Sequence, residues 1–192
     1  MRRRSPSLLV LVLALLAASA GAAPRPVWFV EVPVWDLSDD GLPFRAGVIV
    51  AGGHDPLSRA AGLREPRWVF AAGYATMPDI YDDGTGRLSG WGGDAAFAGF
   101  AREWAWEVPG LARAGAAVAV VLDLGLNYAS ASLPSNGTNF NFLVSPGFTW
   151  ERNAADGAVW HVGLRWFHLS NANLRDRNAG YDGLTLRLGR SW

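Results

Sequence analysis

The chain has 192 residues, half of them hydrophobic, with 17 basic and 17 acidic residues and no cysteine. This length suits one domain or one small barrel, and nothing in the balanced charge suggests a nucleic-acid-binding protein. The absence of cysteine excludes disulfides and thiolate metal sites, so stability must come from a core or from a closed sheet.

Residues 1–22 have the pattern of a secretory signal peptide. Residues 2–4 are arginines, residues 8–18 are apolar, and residues 20–22 are small, as a signal peptidase requires. The apolar run is too short for a good membrane-spanning helix. We therefore expect cleavage after residue 22 and a single domain over residues 23–192. This mature chain has 14 arginines against 17 acidic residues, a net charge of about −3.

Beyond the signal, apolar and polar residues alternate with the period of two that is typical of strands. In residues 139–150, Phe140, Phe142 and Phe148 share one face, and small or polar residues share the other. Large apolar groups outside and small polar groups inside are the pattern of a membrane barrel. We predict an all-β fold, an eight-stranded antiparallel up-and-down outer-membrane β-barrel. Its strands are residues 27–35, 44–52, 67–76, 89–106 (bent or broken near 92–93), 117–127, 139–150, 158–170 and 182–192.

Three chemically reactive residues fall on the last two predicted strands. His168 and Ser170 share the outward parity of the apolar residues in strand seven, and Asp182 has the outward parity of strand eight. In an antiparallel pair Asp182 can lie opposite His168, with roughly 5 Å between β-carbons. Ser170 lies two residues further along the same face, at roughly 7 Å. This spacing suits a serine–imidazole–carboxylate relay.

The segments His168-Leu169-Ser170-Asn171-Ala172 and Asn178-Ala179-Gly180-Tyr181-Asp182 resemble the motifs of the PagL family of outer-membrane lipid A 3-O-deacylases, also described as acyloxyacyl hydrolases. The start of the strand at residues 137–142 is also similar, so the specific resemblance covers roughly the last third of the chain. Two positions depart from the family pattern: Asp182 replaces a glutamate, and Ala179 replaces a proline.

The resemblance implies a serine esterase of the outer membrane, with Ser170 as nucleophile, His168 as general base and acid, and Asp182 as orienting carboxylate. It also implies that Asn178 binds the oxyanion, and Asn171 is a candidate to brace the loop. The implied substrate is lipid A or a related acylated glycolipid, with no cofactor and no metal. A homodimer is left open. The candidate acyl-chain groove consists of Trp160, Leu164, Trp166, Leu184 and Leu186.

Other interpretations remain open at this stage. A histidine and a serine two residues apart are often only an exposed polar pair, which would leave a non-catalytic structural or adhesin-like barrel. A soluble β-sandwich or lipocalin-like binder is a third interpretation. His54 and the acidic residues at 79, 82 and 83 indicate metal sites only weakly, and solvated loops explain them better. We expect His161 to be a core histidine, and Trp104 and Trp106 to belong to an aromatic girdle.

Overall fold

The computed structural model describes residues 26–36, 44–51, 63–64, 66–77, 80–81, 88–90, 93–133, 138–172 and 180–191. The predicted signal peptide, His54, Asn178 and the acidic residues at 79, 82 and 83 lie outside the described residues. No helix in the described part of the chain has the length and apolar character needed to cross a membrane.

The described residues form ten strands, and eight of them close into one antiparallel barrel. The strands are β1 (Val27–Asp36), β2 (Phe44–Ala51), β3 (Arg67–Met77), β4 (Ile80–Tyr81), β5 (Leu88–Gly90), β6 (Gly93–Glu107), β7 (Ala116–Leu133), β8 (Thr138–Asn153), β9 (Val159–Ser170) and β10 (Tyr181–Ser191). Around the barrel the order is β1-β10-β9-β8-β7-β6-β3-β2, while β4 and β5 form a separate two-stranded sheet. The predicted fold class is therefore confirmed.

Two predicted strands differ in extent from the observed ones. The predicted fourth strand is divided, because β5 ends at Gly90 and β6 begins at Gly93, close to the expected break. Strand β7 continues to Leu133, beyond its predicted end at residue 127. Ala129 and Leu133 are fully buried in the core, so packing extends this strand where small residues obscure the alternating pattern.

Inward-facing side chains fill the barrel lumen. At the end where β9 stops they are apolar, and the buried set there includes Phe97, Leu133, Leu143, Phe167, Leu169 and Tyr181. Further along the lumen they are charged, and the buried set consists of Glu31, Arg45, Glu103, Asp123, Arg165 and Arg187. The lumen is thus packed with side chains, as expected for a barrel of eight strands.

The buried charges form one connected network. Arg187 donates hydrogen bonds to Glu31 at 2.8 Å, to Glu103 at 3.2 Å and to Asp123 at 2.8 Å. Arg45 binds both carboxylate oxygens of Glu31, at 3.0 and 2.8 Å. Each buried carboxylate therefore faces at least one guanidinium, as buried charges require.

Aromatic side chains on the outer face gather towards the two ends of the barrel. One end carries Trp28, Trp68, Trp104, Trp106, Trp150 and Trp160, and this set includes both tryptophans for which we predicted a girdle. The opposite end carries Trp35, Phe44, Tyr74, Tyr128 and Phe140. An apolar band between two aromatic girdles is characteristic of barrels that span a membrane.

Candidate active site

The candidate site lies where β9 ends and β10 begins. Odd-numbered residues of β9 are buried in the lumen, whereas the even-numbered ones, including His168 and Ser170, face outward. Asp182 is one of the even-numbered residues of β10, which face outward, and it pairs directly with His168 on β9. Strand β1 begins and strand β10 ends at the other end of the barrel, so the site lies far from residues 27 and 191.

His168 and Asp182 form a hydrogen-bonded pair on this outer face. Nδ1 of His168 lies 2.8 Å from Oδ1 of Asp182, and the two side chains are 24% and 31% exposed. With Nδ1 protonated, the imidazole donates to the carboxylate and keeps the lone pair of Nε2 available. The predicted register of the two strands is therefore correct.

Ser170 lies two residues beyond His168, on the same face and partly exposed. Strand β8 places Phe142 opposite Ser170 and Val144 opposite His168. Among the described residues, His168 makes a polar side-chain contact only with Asp182, and no hydrogen bond joins Ser170 to His168. In enzymes without bound substrate, such catalytic hydrogen bonds are often long and tighten only in the complex.

Core packing fixes the backbone beneath these polar side chains. Phe167 and Leu169 alternate with His168 and Ser170 and are 1% and 0% exposed, while Tyr181, just before Asp182, is completely buried. The outward side chains of the site thus belong to strands whose inward side chains are packed tightly in the lumen. A site on rigid strands is held more closely than one on loops.

Two neighbours restrict the imidazole ring itself. The Trp166 ring stacks on the His168 ring, with centroids 5.4 Å apart and an interplanar angle of 25°. Gly180 lies at the edge of the ring, where a β-carbon would be 3.3 Å from Cε1 of His168 and 3.5 Å from Oδ2 of Asp182. Because glycine has no side chain, this position leaves space for the His168 and Asp182 side chains.

Strand β9 ends at Ser170, and Asn171 and Ala172 follow it in the described part of the chain. Asn171 is 3% exposed, and its role in bracing the loop stays a prediction. Ala172 has a φ of 52°, in the left-handed region that side chains other than glycine rarely adopt. Such strain is maintained only where the surrounding structure imposes it, and it is common near functional sites.

The five predicted groove residues all have outward parity, but they lie at different distances from the pair. Trp166 and Leu184 pair with each other in the row next to His168, and Leu164 and Leu186 pair two residues further on. Trp160 lies eight residues from His168, roughly 27 Å along the strand, and Arg190 stacks over its ring. Trp160 therefore belongs to the aromatic set at the far end of the barrel.

The lumen contains the second histidine of this strand. His161 is 7% exposed, and its Nδ1 lies 3.2 Å from Oε1 of Glu151, consistent with the core role expected for it. No group of three or more metal-binding side chains occurs among the described residues. The site chemistry available from the described side chains is thus that of a hydroxyl, an imidazole and a carboxylate.

Sequence reasoning did not identify Gly180 or Trp35 as neighbours of the site. Gly180 belongs to the segment Asn178-Ala179-Gly180-Tyr181-Asp182, and a glycine two residues before a candidate catalytic carboxylate indicates close approach of another group. Trp35 follows Pro33, and a proline inside a strand is a signal for a bulge. That bulge decides which face Trp35 occupies.

These features define a closed eight-stranded antiparallel barrel with a histidine–carboxylate pair and a serine on its outer face. The model of the lipid A 3-O-deacylase (PagL) family matches residues 65–191, about two thirds of the chain, and the chain belongs to that family. The fold is similar to the crystal structure of the outer membrane enzyme PagL, with a TM-score of 0.54 and 17% sequence identity. That match covers 86% of this chain and 98% of the other. A comparison with curated proteins found no match.

Proposed function

We propose that the protein is an outer-membrane serine esterase that removes an acyl chain from lipid A, by 3-O-deacylation, or from a related glycolipid. The observation that carries this proposal is the 2.8 Å contact between His168 Nδ1 and Asp182 Oδ1, on the same outer face as Ser170. Membership of the lipid A 3-O-deacylase family supports both the reaction and the location.

The proposed reaction is a two-step acyl transfer. Ser170 Oγ attacks the ester carbonyl while Nε2 of His168 takes its proton. The proton then passes to the departing sugar hydroxyl, which leaves an acyl-serine. Water, activated by the same imidazole, hydrolyses this intermediate and releases a free fatty acid. Asp182 holds the imidazole in the required tautomer and stabilises the imidazolium that forms.

The developing oxyanion needs hydrogen-bond donors aimed at it. The resemblance to the family assigns this role to Asn178, together with a backbone N–H of the 171–180 loop. Asn171, which is buried at the start of that loop, would hold its first turn in place. No metal or cofactor takes part in this mechanism.

A lipid substrate is favoured because the site lies on the outer face of the barrel. The exposed residues around it are apolar: Trp166 is 37% exposed, Leu164 is 48% exposed and Phe140 is 41% exposed. Polar groups at the edge of an apolar band are costly unless they lie at the interface or serve a function. With both chain ends in the periplasm, this end of the barrel would lie in the outer leaflet.

The test is fatty-acid release from purified lipopolysaccharide by the refolded barrel, followed by mass spectrometry of lipid A. The wild-type protein should remove one hydroxy-acyl chain, and Ser170→Ala should remove none. Ser132→Ala is the matched control, because Ser132 is a partly exposed serine near the same end of the barrel, on β7. A folded wild-type barrel that leaves lipopolysaccharide, phospholipids and simple acyl esters intact would favour the non-catalytic structural barrel.

A further inference from the structure

Strand β1 contains an irregularity at the level of the candidate site. From Val27 to Pro33 each residue pairs with β10 in regular register, and Pro33 lies opposite Thr185. The next pair is Trp35 with Leu184, so Val34 is an extra residue in β1. Proline has no N–H to continue the ladder, and a bulge is one of the few places where a strand tolerates it.

The bulge changes the face on which Trp35 lies. In the regular register residue 35 would pair with Gly183, which faces the lumen. The extra residue pairs Trp35 with Leu184 instead, and Leu184 has the outward parity of Asp182. Trp35 is 66% exposed, the largest value among the exposed large hydrophobic side chains of the described residues.

This placement produces a channel with two indole walls. Trp35 on β1 and Trp166 on β9 lie on either side of Leu184 on β10, in one row across three strands. Two strand spacings separate the walls by about 10 Å, which leaves room for one hydrocarbon chain over the floor. Leu186 continues the floor away from His168 and Asp182, towards the middle of the barrel.

We infer that Trp35 is a specificity-determining residue that packs against the acyl chain of a long-chain ester substrate and, with Trp166, confines it over Leu184 and Leu186. The inference rests on the proposed function. Trp35 contacts the substrate far from the ester, so it contributes binding and does not take part in proton transfer. Such uniform binding affects KM and leaves kcat unchanged.

Hydrolysis of acyl esters of different length tests this role in the refolded full chain. For a decanoyl ester, Trp35→Ala should lower kcat/KM about tenfold through a higher KM, with Trp35→Phe restoring most of the loss. For a butyryl ester, which is too short to reach the indole, wild type and Trp35→Ala should be equal. A fall in kcat for both esters would show a distorted site and would overturn the inference.

A control separates substrate contact from simple membrane anchoring. Tyr128 is 63% exposed in the aromatic set at the same end of the barrel, but on β7, three strands from β10. Tyr128→Ala should leave the chain-length preference unchanged. If Tyr128→Ala and Trp35→Ala raise KM equally, Trp35 is only an interface anchor and the inference fails.

Binding gives a readout that does not depend on turnover, so the two proposals can fail separately. The Ser170→Ala protein is labelled with fluorotryptophan, and the fluorine resonance of Trp35 is assigned as the one that is lost when the Trp35→Phe substitution is added. This resonance should shift when the decanoyl ester is added. The resonance of Trp28, at the other end of β1, should not shift. An unmoved Trp35 resonance, or equal shifts of both, overturns the inference. If the wild-type protein is inactive but the ester shifts the Trp35 resonance alone, only the proposed esterase activity is overturned.

Discussion

A β-carbon on Gly180 would lie 3.3 Å from Cε1 of His168, closer than such carbons normally approach a ring. Gly180, the residue directly before β10, therefore lies against the edge of the imidazole. Because the ring is stacked on Trp166 on another side, it has little space into which to move.

Gly180→Ala should lower kcat about tenfold, because small displacements of a catalytic group carry large rate penalties. Gly163→Ala is a matched control: its β-carbon would also lie 3.3 Å from its neighbours, but in the lumen beside Arg165 and Thr149. Initial rates of lipid A deacylation, measured with the unfolding midpoint, check this. Equal losses of activity in the two variants would contradict a local effect on His168.

Asp182→Asn should lower kcat by about 10²–10⁴-fold while the barrel stays folded, since an amide no longer holds Nδ1 of the imidazole as a donor. Asp182→Glu keeps the negative charge and should retain far more activity. Deacylation rates of the two variants at equal protein concentration give the comparison. If the asparagine variant matched the wild-type rate, the 2.8 Å contact would be merely structural.

Glu31→Gln should destabilise the barrel by about 3–5 kcal/mol, because Arg45 and Arg187 would lose a buried carboxylate partner. Asp156→Asn is the control. It removes an ion pair with Arg190 at a carboxylate that is 57% exposed, where the expected cost is below about 1 kcal/mol. Urea unfolding of the detergent-refolded variants measures both. A similar loss of unfolding free energy in the two variants would mean that the charge network in the lumen contributes little to stability.

The barrel should not conduct ions. Arg187 bridges Glu31, Glu103 and Asp123 across the described part of the lumen, and apolar side chains fill its end beneath the site. Planar bilayer recordings of the wild-type protein should therefore stay at the leak level. Discrete conductance steps in recordings from the purified barrel would contradict the packed lumen.

The alternating pattern was sufficient to predict the part of the barrel that carries the site. Leu184 and Leu186 face outward and Thr185 and Arg187 face inward, because a strand has a side-chain period of two. The same period, with a short antiparallel hairpin, predicted that Asp182 lies opposite His168.

Local pattern could not predict contacts that depend on distant strands. Glu31 and Arg187 are 156 residues apart in sequence, and they meet only because the barrel closes. The register change at Val34 depends on how β1 fits β10, so Trp35 could not be assigned to the outer face from alternation alone. The contact between Gly180 and His168 likewise depends on how the loop returns to the barrel.

Strand β10 carries Asp182 and also joins β1 to close the barrel. A nascent chain that stopped before residue 181 would lack both the orienting carboxylate and the seam partner of β1. Under the proposed function, a barrel that has not closed through β10 therefore also lacks the carboxylate that orients His168.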